Sequence, residues 1–191
     1  MTTPILTVRA AREQRTFRRL LDAMARPGVI EQLEPHDQGG IHAAAVSLLE
    51  AVLDHEVTFV VCPAEAATTE TILRTTGSRV APLPEADYVL GSGQAIADAL
   101  RDAKEGDPEF PDRGATVIAT VGSVDSGGSL VIRGPGIPGS RALAVDGFGP
   151  DLQALFAERN REVPLGIDLV LVAPDGRFAC LPRYTRIQGA I

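Results

Sequence analysis

Lysine is almost missing from this chain. Lys104 stands alone against 17 arginines in 191 residues. Chemistry that needs a lysine amine, a Schiff base above all, therefore has one candidate. Tryptophan is absent, aromatic residues make up only 4%, and no aromatic–basic interleaving occurs. The net charge is −7 and no long basic block occurs, so nucleic acid is not an expected partner. No apolar run is long enough to span a bilayer, and no membrane partner is expected. Residues 1–13 lack the apolar stretch of a secretory signal, which sets the expectation of a cytoplasmic protein. Two cysteines, Cys62 and Cys180, sit far apart in apolar runs. They read as buried free thiols of a reducing compartment rather than a structural disulfide. His36, His42 and His55 show no metal-ligand spacing, so no metal site is expected. There is no serine in a nucleophile elbow and no phosphate-loop lysine.

What is present is a 45% hydrophobic composition. That suffices for the core of one domain spanning residues 1–191. Residues 9–26 read as an amphipathic helix, with Phe17, Leu20, Leu21 and Met24 facing inward and Pro27-Gly28 ending it. Its other face carries Arg12, Arg15, Arg19, Asp22 and Arg26, an excess of guanidinium suited to an anion or a subunit contact. A second helix is expected over 42–54, a strand over 57–62, a helix over 65–76 closed by Gly77, and a brief strand over 87–90. Ser92 is expected to cap a helix running to about Asp102. Residues 115–121 read as the clearest strand, 122–128 as a flexible turn, and 129–133 and 141–145 as further strands. A helix over 150–159 precedes two strands, 167–173 and 177–180, joined by the hairpin signal Pro174-Asp175-Gly176. Continuous apolar strands with intervening helices argue for an α/β fold, a mixed sheet with helices on both faces.

The most informative loop is 108–114, with Pro108, Glu109, Phe110, Pro111, Asp112, Arg113 and Gly114 directly before the clearest strand. Prolines fix φ there, so Glu109, Asp112 and Arg113 are presented in a defined geometry. Either a local ion pair or a ligand and partner contact accounts for it. Gly134, Gly136 and Gly139 match a dinucleotide pattern in spacing, but Pro135 and Pro138 remove amides that would hold phosphate, so a structural turn reads better. Arg133 beside these glycines remains suited to an anion. Asp168 opens an apolar strand and needs a partner, for which Arg183 and Arg186 are candidates. The residues thus describe an acidic α/β protein with arginines on stiff loops and no autonomous catalytic set.

Five segments taken together resemble one family: 17–28 with Arg26-Pro27-Gly28, 108–114, Ile132-Arg133-Gly134-Pro135-Gly136-Ile137, Pro164-Leu165-Gly166-Ile167-Asp168, and Leu181-Pro182-Arg183-Tyr184-Thr185-Arg186-Ile187. In this order they are similar to the H subunit of the bacterial carbon–phosphorus lyase system, the PhnH family. The resemblance implies a role in phosphonate catabolism. It implies work with subunits G, I and L to make α-D-ribose 1-methylphosphonate 5-triphosphate from methylphosphonate and ATP, displacing adenine. It also implies a core lyase assembly with G, I and J. The implied fold is similar to that of pyridoxal-phosphate-dependent transferases, as a homodimer without the cofactor. No catalytic residue set carries over. The candidate ligand or interface residues are Arg19, Arg26, Glu109, Asp112, Arg113, Arg133, Gly134, Gly136, Asp168 and Arg183. Two other readings stay open: a phosphate or nucleotide binder in which Arg26, Arg113, Arg133 and Arg183 converge, and a degenerate pyridoxal-phosphate enzyme using Lys104.

Overall fold

Strands that are apolar at nearly every position must be covered on both faces, and the sheet is built that way. The computed structural model describes residues 7–34 and 42–189; His36 lies outside them. The elements in chain order are α1 (Val8–Ala25), β1 (Glu31–Gln32), α2 (Ala43–Val52), β2 (Thr58–Cys62), α3 (Ala66–Thr76), β3 (Arg79–Val80), β4 (Tyr88–Ser92) and α4 (Ala95–Asp102). There follow β5 (Thr116–Thr120), β6 (Ser123–Arg133), β7 (Arg141–Asp146), α5 (Pro150–Arg159), β8 (Asp168–Val172), β9 (Arg177–Leu181) and β10 (Arg186–Ile187). Short 3-10 turns occupy Leu83–Glu85 and Pro111–Arg113.

The main sheet has 7 strands in the order β1-β9-β8-β5-β4-β2-β3. β3, β2, β4, β5 and β8 run parallel, whereas β9 is antiparallel to β8 and β1 to β9. A 3-stranded sheet, β10-β6-β7, stands apart from it. Alternate side chains divide between two cores, as the two-residue strand period requires. Leu90, Ile118, Val170 and Phe178 pack with α1, α2 and α3. Val89, Val117, Leu169 and Leu181 pack with α4, α5 and the small sheet. Phe59, Phe156 and Phe178 are fully buried, each worth about 1.5–3 kcal/mol of transfer free energy.

Thr7 caps α1 by accepting from the Ala10 amide at 3.2 Å, and Gly77 closes α3 at φ +71° as expected. Among the described residues no helix is long and apolar enough to cross a membrane. Both cysteines are free, Cys180 buried and Cys62 half-buried.

Three expectations are corrected. Phe17 and Leu21 do not face inward: they are 43% and 51% exposed. The helix instead buries Thr16 and Ala23, with Leu20 and Met24 packed against the core, while Arg15, Asp22 and Arg26 stay exposed and Arg12 is partly drawn in. Arg12 reaches the buried Glu50 at 3.0 Å, and Arg15 reaches Glu34 at 3.1 Å. Residues 122–128 are not a free turn; nearly all of them belong to β6, which pairs with β7 through an irregularity between Ser123 and Gly128. Ser92 ends β4 rather than capping α4, whose N-cap is Gln94 with no side-chain bond.

Candidate functional site

Contacts near the amino-terminal end of the parallel strands link all five motif segments. Asp168 opens β8, and β9 runs back alongside it, so Arg183 just past β9 returns to Asp168. The guanidinium forks onto the carboxylate, Nη2 to Oδ2 at 2.7 Å and Nε to Oδ1 at 3.3 Å, and the Arg183 amide also donates to Oδ1 at 2.8 Å. Arg183 is 8% exposed. Arg186, the other candidate partner, donates instead to the carbonyls of Arg183 and Thr185.

The remaining Arg183 nitrogen, Nη1, donates to the carbonyl of Pro111 and so pins the loop 108–114. Gly114 is required there: a Cβ would sit 2.8 Å from Nη1 and 2.9 Å from the Glu105 carbonyl. Arg113 stacks over the Phe110 ring at 3.9 Å. Glu109 and Asp112 face solvent. The loop start is held by Asp107 Oδ1, which accepts from the amides of Glu109 at 2.9 Å and Phe110 at 2.8 Å.

The α1 end, the turn after β6 and the segment after β9 enclose a pocket of about 200 Å³, lined by Met24, Pro27, Pro135, Gly136, Tyr184 and Thr185 among others. Gly136 has φ +78°, and a Cβ there would collide with the carbonyl of Ala25. Gly134 lies against the carbonyl of Tyr184. The run 134–139 leads into β7 rather than a helix, which supports the structural-turn reading.

The other arginines are engaged separately. Arg26 pairs with Glu31 at 3.3 Å and more loosely with Asp22 at 4.0 Å. Arg19 donates to the Gln32 carbonyl. Arg133 donates to the Gln188 side-chain oxygen, with the amide assigned so that both groups are satisfied, at 2.7 and 2.9 Å. Asp168 and Arg183 are thus brought into direct contact, whereas Arg26, Arg113 and Arg133 each have a different local partner.

Lys104 also lies at the amino-terminal end. Its Nζ is 2.5 Å from Asp87 Oδ1, and Asp87 Oδ2 accepts from the Thr58 amide at 2.7 Å and hydroxyl at 2.8 Å. Burial alone would raise the Asp87 carboxyl. The hydrogen bonds from Lys104 and Thr58, with the lysine charge, outweigh it and hold the group below its ordinary value.

The opposite end of the sheet carries a second constellation. The strand order reverses at β2, with β3 on one side and β4 on the other. The connecting helices diverge accordingly, α3 packing into one core and α4 into the other. Beside that divide His42, 5% exposed, has Nδ1 3.2 Å from Thr120 Oγ1 and Nε2 3.3 Å from Glu65 Oε2. Thr68 donates to the same Glu65 oxygen at 2.8 Å. Cys62, at the end of β2, is no ready nucleophile, because burial first and the charge of Asp98 second push its thiol up. Among the described residues no group of three or more His, Cys, Asp or Glu is placed to hold a metal. Sequence reasoning passed over Glu65, Thr68 and Thr120. The available signal was their place at or just past the ends of apolar strands, where open α/β sheets bind ligands.

The family model described as bacterial phosphonate metabolism protein (PhnH) matches residues 5–188. The chain is 33% identical over 179 residues to a protein of Stutzerimonas stutzeri described as C-P lyase subunit protein HtxG, covering 94% of this chain and 87% of that one. It is 31% identical over 182 residues to the alpha-D-ribose 1-methylphosphonate 5-triphosphate synthase subunit PhnH of Rhizobium meliloti (strain 1021), covering 92% of this chain and 90% of that one.

Proposed function

The chain belongs to the PhnH family of bacterial phosphonate metabolism proteins, and from that premise we propose that it is a non-autonomous subunit of a carbon–phosphorus lyase system. In this reading it works with subunits G, I and L to form α-D-ribose 1-methylphosphonate 5-triphosphate from methylphosphonate and ATP. It also joins G, I and J in the core lyase assembly. It does so as a cytoplasmic, cofactor-free homodimer of single-domain chains with a fold similar to pyridoxal-phosphate-dependent transferases. The family match over nearly the whole chain carries the reading.

Two structural features support a subunit role. Arg26, Arg133 and Arg183 of the motif segments are engaged by the protein's own groups, as expected of residues that shape a surface rather than wait for substrate. Phe17 and Leu21 lie one helical turn apart on α1 and are both exposed, with Met24 at the next turn lining the pocket that Tyr184 borders. An exposed apolar stripe of this kind suits a partner surface. The test is reconstitution. The purified chain should release no adenine from ATP and methylphosphonate, and the four-subunit mixture should release it only when this chain is present. Turnover by the chain alone, or by the mixture without it, refutes the proposal.

The alternative, a phosphate or nucleotide binder, is favoured by the polar constellation at the carboxyl-terminal end of the sheet rather than by the arginines first suspected. The degenerate pyridoxal-phosphate reading gains nothing, since Lys104 is paired with Asp87 at the far end from that constellation.

A further inference from the structure

The pocket at the end of α1 is too small for a whole ligand molecule. Its volume is about 200 Å³, against roughly 300–1,000 Å³ for a small-molecule site. One side chain fits that space. Pro27, Pro135 and Pro182 wall it, with Met24 and Tyr184 beside them, so its shape is set before anything enters. Thr185 also lines it and is 2% exposed, and its hydroxyl has no hydrogen-bond partner among the described residues. A buried hydroxyl left so is costly, and an entering side chain with a polar tip relieves that cost.

The surroundings are positive on a chain whose net charge is −7. Arg133 binds the Gln188 side-chain oxygen, Arg186 the carbonyls of Arg183 and Thr185, and Arg141 those of Arg26 and Pro27. These acceptors are neutral. They fix the guanidiniums in direction and leave their charge uncompensated, for none of the three has a carboxylate partner among the described residues. Arg133 and Arg186 stand directly opposite each other between β6 and β10, a placement of like charges that opposes pairing. Asp22 and Glu31, on either side of Arg26 in the chain, pair with it at 4.0 and 3.3 Å. From Met24 the exposed Leu21 and Phe17 continue the apolar surface along α1.

We propose that this surface receives an acidic segment of a partner protein, with one aromatic side chain, a tyrosine by its polar tip, seated in the pocket. The phenol meets the Thr185 hydroxyl, carboxylates on either side meet Arg133, Arg141 and Arg186, and Leu21 and Phe17 take the segment's remaining apolar contact. A buried aromatic anchor ringed by complementary charge concentrates affinity and fixes register. A second copy of this chain fits less well. Its exposed acidic loop offers Phe110, which lacks a polar tip and lies under Arg113 at 3.9 Å. That the partner is another subunit rests on the reading above; the chemistry of the segment rests on the geometry alone.

Fluorescence anisotropy on the purified chain tests that chemistry. The probes are short fluorescein-labelled peptides: a tyrosine flanked by glutamates, the same tyrosine flanked by lysines, and the glutamate peptide with alanine or phenylalanine in place of tyrosine. The glutamate–tyrosine peptide should bind at least about tenfold more tightly than the lysine and alanine peptides, and more weakly as salt rises. Arg133→Gln with Arg186→Gln should lower its affinity about tenfold. Thr185→Val should weaken the tyrosine peptide severalfold and leave the phenylalanine peptide unchanged. The peptide and salt comparisons need no variant, so they hold where a substitution harms the fold. In the assembly, a benzophenone side chain in place of Tyr184, with subunits G, I, J and L co-expressed, should cross-link to an acidic segment of one of them. Equal binding of the glutamate and lysine peptides, or of the tyrosine and alanine peptides, overturns the proposal. So does a cross-link to a second copy of this chain, to a segment without acids, or to none of the co-purified subunits. Failure of the subunits to co-purify counts instead against the subunit role, and the peptide comparison still decides the surface.

Discussion

Replacing Arg183 with alanine should destabilise the protein more than any other single arginine truncation. The side chain donates two bonds to Asp168 and one to the Pro111 carbonyl, and it is nearly withdrawn from water. Truncation leaves Asp168 largely buried with only the residue-183 amide to satisfy it. Breaking one side of such a pair costs about 3–5 kcal/mol. For a chain of this size each kcal/mol lowers the melting temperature by about 2–4 °C, so a fall of roughly 6–20 °C is expected. Arg183→Lys keeps the charge but loses the fork and should recover only part of it. The double variant Arg183→Met with Asp168→Leu removes both charges and should be far less harmful than Arg183→Ala alone. Thermal and urea unfolding followed by circular dichroism measure all three. A melting temperature for Arg183→Ala within about 2 °C of wild type would refute the argument that this pair ties β8, β9 and the loop 108–114 together.

Other expectations follow from the same contacts. Asp87 has a depressed carboxyl in the folded state, so its contribution is present above the unfolded value near pH 4 and is lost as pH falls through the folded value. The stability gap between wild type and Lys104→Met, read by urea unfolding, should therefore be full at neutral pH and shrink below about pH 4; a gap independent of pH would contradict it. Gly136→Ala must place a Cβ against the Ala25 carbonyl at positive φ and should cost at least about 1–2 kcal/mol, with a proportional loss of melting temperature; an unchanged melt would contradict it. Cys180 is fully buried and Cys62 has a raised thiol, so neither should react promptly with Ellman's reagent until the protein is unfolded; rapid native reaction would count against the placement of Cys62.

Much of the fold was legible because local chemistry and burial agreed. The strand over 115–121 and the pair over 167–180 are apolar in sequence and central in the sheet, and Gly77 closes α3 where its freedom at positive φ is needed. The failures have physical causes. Gly128 has poor strand propensity, yet β6 persists there because it pairs with Val145 of β7, just past the irregularity that holds Gly127 at φ +105°. The face of α1 was only partly legible: Leu20 and Met24 do pack on the core, but the buried line runs through Thr16 and Ala23 and draws in Arg12, neutralised by Glu50, 38 residues away, which no helical periodicity reveals. The Asp168–Arg183 pair was within reach because a carboxylate opening an apolar strand must find a partner. The His42–Thr120 contact spans 78 residues and appears only once the strand order is known.

The central claim is that this chain acts as part of an assembly. It is tested most directly by co-expressing it with subunits G and I of the same system and passing the lysate over a size-exclusion column, with Phe17→Ser/Leu21→Ser as the comparison. The account predicts one large co-eluting species for wild type and, for the variant, an intact fold with weakened association. Wild-type chain eluting apart from folded G and I would contradict it.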